Sequence, residues 1–243
     1  MPPDNCVLSV VIPAYNESRT IIPLLRKVNE QRIDGVRLEV VVVDDGSTDG
    51  TVELLQQNPG LYTRLERMEK NSGKGAAVKR GLSAATGDYI LFQDADLEYD
   101  PANYDKLLSP VLEHDAEIVM GSRLSASPVS RVYYYWHKQG NKFLTFLFNV
   151  LNNTTFTDVY SCYLLYKRSL VDPAALEVDG WGQHAEILTK AVRNATRMYE
   201  VPITYFGRTY GEGKKIRWHH TFEVIFTIIK YRYQKPLQGG PKL

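Results

Sequence analysis

Asp94 and Asp96 stand one residue apart where the apolar run Tyr89–Gln93 ends, inside GDYILFQDADLEYDP at residues 87–101. Alternate side chains on extended backbone point the same way, so this spacing predicts two carboxylates aimed at one point. Two convergent carboxylates repel each other unless a cation shares them. Hard oxygen donors with open positions suit Mg2+ or Mn2+ held jointly with substrate phosphates. Similar polar turns close other apolar runs. VIPAYNE at residues 11–17 offers Pro13 and Ala14, which let a flat base approach the backbone, and Glu17, which can bond a base or ribose. DDGSTDGT at 44–51 sets Asp44 and Asp45 after a buried run as acceptors for ribose or base, or simply as turn formers. NSGKGAA at 71–77 carries Lys74 as a phosphate contact, without the GxxxxGK[ST] spacing of an ATP-binding loop. His184 and Glu186 are candidate general bases, Glu186 equally a polar residue on a helix.

Strands and helices must carry these turns to one place. Val7–Ile12, Leu38–Val43, Tyr62–Met68, the run ending at Gln93 and Ala116–Met120 read as strands. Helices alternate with them: one capped by Ser18, one capped by Thr48 or Asp49, one from the Lys74 loop to Ala85, and one over Pro101–Glu113. This rhythm predicts an α/β, doubly wound, Rossmann-like, mostly parallel sheet flanked by helices. In such sheets ligands bind beyond the carboxyl ends of the strands, where all the polar turns above gather. After Arg123 the rhythm breaks into a segment rich in Tyr, Phe and Leu, then strands at 159–166 and 198–205 with a helix near His184–Asn194. The tail places Phe222, Ile225, Phe226 and Ile229 at helical spacing before Lys230, Tyr231, Arg232 and Tyr233. It reads as a C-terminal amphipathic helix, lying on the domain, at a dimer contact or in a headgroup region.

Bulk composition narrows the classes. With 23% charged residues and a net charge of +1, bulk electrostatics give no support for a nucleic-acid partner. The only cysteines, Cys6 and Cys162, lie far apart, which predicts neither a disulfide framework nor a zinc site and makes a reducing compartment the default. The N-terminus has no basic leader, and no apolar run approaches the ~18 residues of a membrane-spanning helix. The 16 tyrosines, many of them beyond Tyr133, suit half-wet surfaces such as a sugar site or a membrane interface.

The order VIPAYNE, DDGSTDGT, GKGAAVKRGLSAATGDYILFQDADLEYDP, GSR resembles the family-2 inverting glycosyltransferases of the GT-A fold, above all the dolichol- or polyprenyl-phosphate mannose or glucose synthases. DVYSCYLLYKR (158–168) and EVPITYFGRTYGEGKK (200–215) extend the likeness, with Cys162 where the family usually carries glycine and Glu98 where many members carry glutamine. The resemblance implies a catalytic domain over 1–217, with 218–243 as a tail on the domain or a membrane. It implies that Pro13, Ala14, Tyr15, Glu17, Asp44, Asp45 and Lys74 line a nucleotide sugar. Asp94 and Asp96, with Glu98 as the candidate third ligand, would hold Mg2+ or Mn2+, with Arg208 and Lys214 on the donor phosphates. Arg123 and Arg131 would clamp the phosphate of a polyprenyl or dolichyl acceptor. The implied enzyme moves a hexose from a GDP-mannose or UDP-glucose type donor, peripheral on the cytoplasmic face of a membrane, with a homodimer as one reading of its assembly. A sugar hydroxyl on a glycan or glycolipid precursor is the alternative acceptor, with Glu186 as its base. A non-catalytic nucleotide-sugar binding module is the reading from another class.

Overall fold

The structure, a computed structural model, describes residues 6–125, 135–207 and 220–234. A seven-stranded sheet runs in the order β3-β2-β1-β4-β6-β5-β7. Its strands are β1 (Cys6–Ala14), β2 (Val36–Asp44), β3 (Arg64–Arg67), β4 (Tyr89–Phe92), β5 (Ile118–Ser122), β6 (Leu164–Lys167) and β7 (Met198–Pro202). β1 pairs in parallel with β2 and β4, β2 with β3, and β5 with β7, while β6 runs antiparallel between β4 and β5. The mostly parallel sheet expected from the βα rhythm is therefore present, with one reversed strand.

Strand periodicity divides the core into two layers. Val10, Ile12, Leu91, Val119 and Leu165 point into one cluster, with α1 (Ile21–Glu30), α2 (Thr51–Gln57) and α4 (Tyr104–His114). Val11, Ile90, Phe92, Met120 and Leu164 point into the other, with α3 (Lys74–Ala84), α5 (Tyr135–Asn152), α6 (Gln183–Asn194) and α7 (His220–Tyr233). Burial on both faces explains why β1 and β2 are continuous apolar runs rather than alternating ones.

Several boundaries differ from expectation. α1 begins at Ile21 with Thr20 as its N-cap, because Ser18 turns its amide to the Asp49 carboxylate at 3.0 Å. α2 starts after Gly50, at φ 91°, and Asp49 accepts from the amide of Thr51 at 3.1 Å. β6 spans only Leu164–Lys167, since residues 158–162 form a loop around buried Asp158. β4 stops at Phe92, so Asp94 and Asp96 lie on a turn, with Leu97 at φ 62°, and not on continuing strand. The tail helix is less detached than its pattern suggests. Val224, Thr227, Ile228 and Tyr231 of α7 are buried, leaving Phe222, Phe226, Ile229 and Tyr233 exposed. Tyr231 is fully covered and hydrogen-bonds Glu177 at 3.1 Å.

Candidate active site

The carboxyl ends of β1, β2 and β4 place Ala14, Asp44 and Asp94 along one edge of the sheet. Two loops are zipped together there. Asn16 donates its amide to Ser47 Oγ at 3.0 Å and accepts from the Thr48 amide at 2.8 Å, while the Glu17 amide meets Thr51 Oγ1 at 3.0 Å. The Glu17 carboxylate accepts from Thr20 Oγ1 at 2.9 Å, Pro13 and Tyr15 are half-buried, and Ala14 is buried. Of the acidic pair, Asp45 accepts the amides of Ser72 at 2.8 Å and Gly73 at 3.0 Å, and so fastens the Lys74 loop. Burial, with Asp44 beside it, raises the Asp45 pKa despite those bonds. Asp44 is also buried, but its Oδ1 has no partner among the described residues. An unpaired buried acceptor is costly unless a donor arrives, so Asp44, more than Asp45, offers an atom to a base or ribose.

Lys74 is the first residue of α3, behind a glycine turn that only glycines fit. Gly73 has φ 99°, and a Cβ on Gly75 would come within 2.6 Å of the Asp179 backbone. The Gly75 amide donates to the Asp179 carbonyl at 2.9 Å. Thus held, Lys74 Nζ reaches Asp94 Oδ1 at 2.5 Å. Burial opposes both charges, yet each partner outweighs it. The Lys74 pKa rises, and the Asp94 carboxyl, which also takes a hydrogen bond from the Cys162 thiol, falls below its ordinary range. Asp94 is thus an ionised carboxylate already facing a cation.

The turn carrying Asp94 is set by Gln93, a residue the sequence pattern left inside a strand. Fully buried, it accepts from Tyr104 Oη at 2.8 Å and Tyr163 Oη at 2.7 Å, and donates to the Asp94 and Tyr99 carbonyls at 3.0 and 3.2 Å. A lone glutamine between Phe92 and Asp94 was the only signal. Asp96 accepts from the Glu98 amide at 3.1 Å, while the Glu98 carboxylate takes a hydrogen bond from Tyr205 Oη. Among the described residues no three His, Cys, Asp or Glu side chains gather as a metal cage. Two carboxylates and no closed cage fit a hard ion that completes its shell with ligand phosphates and water.

Arg123 and Glu186 are each engaged by the fold. Arg123 Nε and Nη2 form a fork on buried Asp158 at 2.7 and 2.8 Å, Nη2 also meets the Tyr160 carbonyl at 3.0 Å, and the guanidinium lies 5.2 Å over the Tyr205 ring. Burial opposes its charge, but Asp158 dominates and raises the pKa. Its charge is thus offset by Asp158 before any acceptor arrives. Glu186 is fully buried, accepting the Glu177 and Val178 amides at 2.9 and 2.8 Å and Lys190 Nζ at 2.5 Å. Those bonds make it the support of the 177–179 segment, on which the Lys74 loop rests, rather than a base poised for a proton. Arg131, Arg208 and Lys214 lie outside the described residues, as does the 217–218 boundary. His184 is buried against Phe92 and Tyr160, with ring centroids at 6.5 and 6.1 Å. Burial, aided by Lys74, lowers its pKa to about 4, so the ring is neutral at pH 7.

Residues 9–173, which carry this edge with its acidic turn, Lys74 and the open acceptor on Asp44, match the profile of Glycosyl transferase family 2. The chain belongs to that family. A dolichol-phosphate mannosyltransferase from Pyrococcus furiosus is 29% identical over 94% of this chain and 64% of its own length. A dolichyl-phosphate beta-glucosyltransferase from Dictyostelium discoideum is 36% identical over 50% of this chain and 41% of its own. The chain thus spans under two thirds of these two relatives. Among solved structures, glucosyl-3-phosphoglycerate synthase from Mycobacterium tuberculosis, in complex with Mn2+, UDP and glucosyl-3-phosphoglycerate, superimposes with a TM-score of 0.67 at 22% identity, covering 96% of this chain and 82% of that one. That likeness establishes the GT-A fold expected from the motifs.

Proposed function

We propose that this family-2 chain moves a hexose, with inversion, from a nucleotide sugar of the GDP-mannose or UDP-glucose type to a polyprenyl or dolichyl phosphate, with Mg2+ or Mn2+ at Asp94 and Asp96. The observation that carries the reading is the Lys74–Asp94 pair at the strand-exit edge, a cation and a carboxylate 2.5 Å apart beside the unpartnered oxygen of Asp44. Asp44 takes a donor from base or ribose, with Pro13, Ala14, Tyr15, Glu17 and Asp45 shaping that wall. Lys74, and beyond the described residues Arg208 and Lys214, take the diphosphate. Bound at the acidic turn, the ion supplies charge neutralisation to the departing nucleoside diphosphate.

A phosphate monoester has its second pKa near 6, so the acceptor arrives mostly dianionic and needs positioning more than a base. This agrees with Glu186 being committed to backbone amides. Arg131 is the better candidate for the acceptor clamp, since Arg123 is already committed to Asp158. The lipid acceptor is supported by the relatives' names and by the outer face of α5 and α7, which pack together. There Trp136, Phe143, Phe146, Phe222, Phe226 and Ile229 are exposed, a concentration of aromatic surface suited to the interfacial layer of a membrane. Through this aromatic surface we place the chain peripherally, on the cytoplasmic face of a membrane; no helix among the described residues is long and apolar enough to cross a bilayer.

The test is incubation with labelled GDP-mannose or UDP-glucose, polyprenyl phosphate vesicles and Mn2+. An organic-soluble, acid-labile product that vanishes with EDTA is expected. Label found only in water-soluble glycans overturns the lipid acceptor, and metal-independent transfer overturns the ion.

A further inference from the structure

We propose that His184 is the residue that reads the donor sugar, its Nε2 accepting a hydrogen bond from one sugar hydroxyl. The inference rests on the nucleotide-sugar reading above and adds which atom recognises the sugar. His184 is 8% exposed, and its Nε2 is a buried polar atom with no partner among the described residues. The rest of the ring is fixed. A hydrogen bond ties it to the Val159 backbone, and Phe92 and Tyr160 meet it edge-on at 6.5 and 6.1 Å. With the other nitrogen bonded to the backbone, Nε2 of a neutral ring is an acceptor. A phosphate oxygen has no hydrogen to give it; a sugar hydroxyl has.

Position separates sugar from nucleotide. The loop carrying Asp44 and Asp45 follows β2, whereas His184 lies against Phe92, the last residue of β4, on the other side of β1 in the sheet order. Lys74 and Asp94 stand between, and with Arg123 they are the charged groups that act on the ring. A ligand with its base at Asp44 and its diphosphate at Lys74 carries its sugar onward to His184. The rings of Phe92 and Tyr160 make the hydroxyl bond selective, because a buried acceptor left unpaired beside them is costly.

The experiment compares wild type, His184→Leu and His184→Gln for binding GDP-mannose or UDP-glucose and the matching GDP or UDP, with Mn2+, by calorimetry. His184→Leu is expected to bind the nucleotide sugar about tenfold more weakly, about 1.4 kcal/mol, with nucleoside diphosphate affinity unchanged. His184→Gln, which keeps an acceptor, restores most of the loss. A set of deoxy-sugar nucleotides then shows one hydroxyl whose removal weakens wild type but not His184→Leu. In wild type, the imidazole 15N shift of Nε2 moves on adding the nucleotide sugar and stays put with the nucleoside diphosphate, a readout that does not depend on any variant folding. Equal sugar-nucleotide affinity in wild type and His184→Leu, or an Nε2 signal indifferent to the sugar, overturns the inference and leaves a buried water as the partner. Absence of binding by wild type to either nucleotide sugar instead overturns the function on which it rests.

Discussion

At the scale of single residues, the place of the acidic pair at the exit of β4 was legible from the apolar run before it, although the pair lies on a turn and not on the extended backbone that its spacing assumed. What its neighbours do was not. Asp44 and Asp45 are chemically equal in sequence, and only the returning 71–75 loop decides that Asp45 holds Ser72 and Gly73 while an oxygen of Asp44 stays open. Glu186 shows the same limit. Its residue type suits a base, but the 177–178 amides that fill its carboxylate come from a separate loop. Glu186→Gln accordingly separates two roles. A positioning role predicts a stability loss of about 3 kcal/mol in urea denaturation, because half-buried Lys190 and two amides lose a charged partner. Single-turnover rate per folded molecule should stay within about threefold, whereas removal of a general base typically lowers it by about 100-fold or more with stability intact.

Among elements, the alternating pattern located β1, β2, α3 and α4 well, because each buries a regular stripe against the sheet. It overran β6, where the 158–162 loop has apolar residues for packing around Asp158 rather than for pairing. It left open which side of α7 docks. A helix apolar on two sides looks the same in sequence whichever side docks, and here Val224, Ile228 and Tyr231 dock while Phe222 and Phe226 do not. The C-terminal end of α7 is clamped by Glu177, which accepts from Lys230 at 2.6 Å, Gln234 at 3.0 Å and Tyr231 at 3.1 Å. Those hydrogen bonds, Lys230 first, lower the Glu177 pKa to about 2. A depressed carboxyl stabilises docking above its unfolded pKa of about 4.3 and loses that contribution as pH falls through the folded value. Docking of α7 should therefore be level from pH 8 to 5 and weaken only in strong acid. A carboxyl NMR titration should place the Glu177 midpoint near 2. Glu177→Gln should accelerate tryptic cleavage after Lys230 at pH 8, and an ordinary midpoint with unchanged cleavage would remove the clamp.

Across the whole molecule, the two edges of the sheet have separate duties. Near the start of β4, opposite the acidic turn, buried Glu39 of β2 accepts from Ser9 Oγ, from the Thr86 amide at 2.8 Å, from Thr86 Oγ1 at 2.7 Å and from the Gly87 amide at 3.3 Å. Burial favours its protonated form, but these bonds prevail and lower its pKa. Glu39→Ala strands several buried donors and should cost about 3 kcal/mol or more of stability by urea denaturation. Nucleotide affinity, measured on the folded fraction, should be unchanged. A variant that weakened nucleotide binding at unaltered stability would contradict this division.

One strip of chain has a further consequence. Residues 177–182 hold the Lys74 loop through the Asp179 carbonyl and hold α7 through Glu177 and through the Gly182 amide, which donates to Glu223 at 3.0 Å. Lys74 and the outward-facing α7 thus lean on the same six residues. Under the proposed function, linkage makes any coupling through this strip reciprocal: if a lipid surface that tightens α7 raises nucleotide affinity, the nucleotide raises lipid affinity by the same factor. In thermodynamic terms the strip would then be an exchange point, through which a chain resting on a membrane would hold a nucleotide sugar differently from one adrift in water.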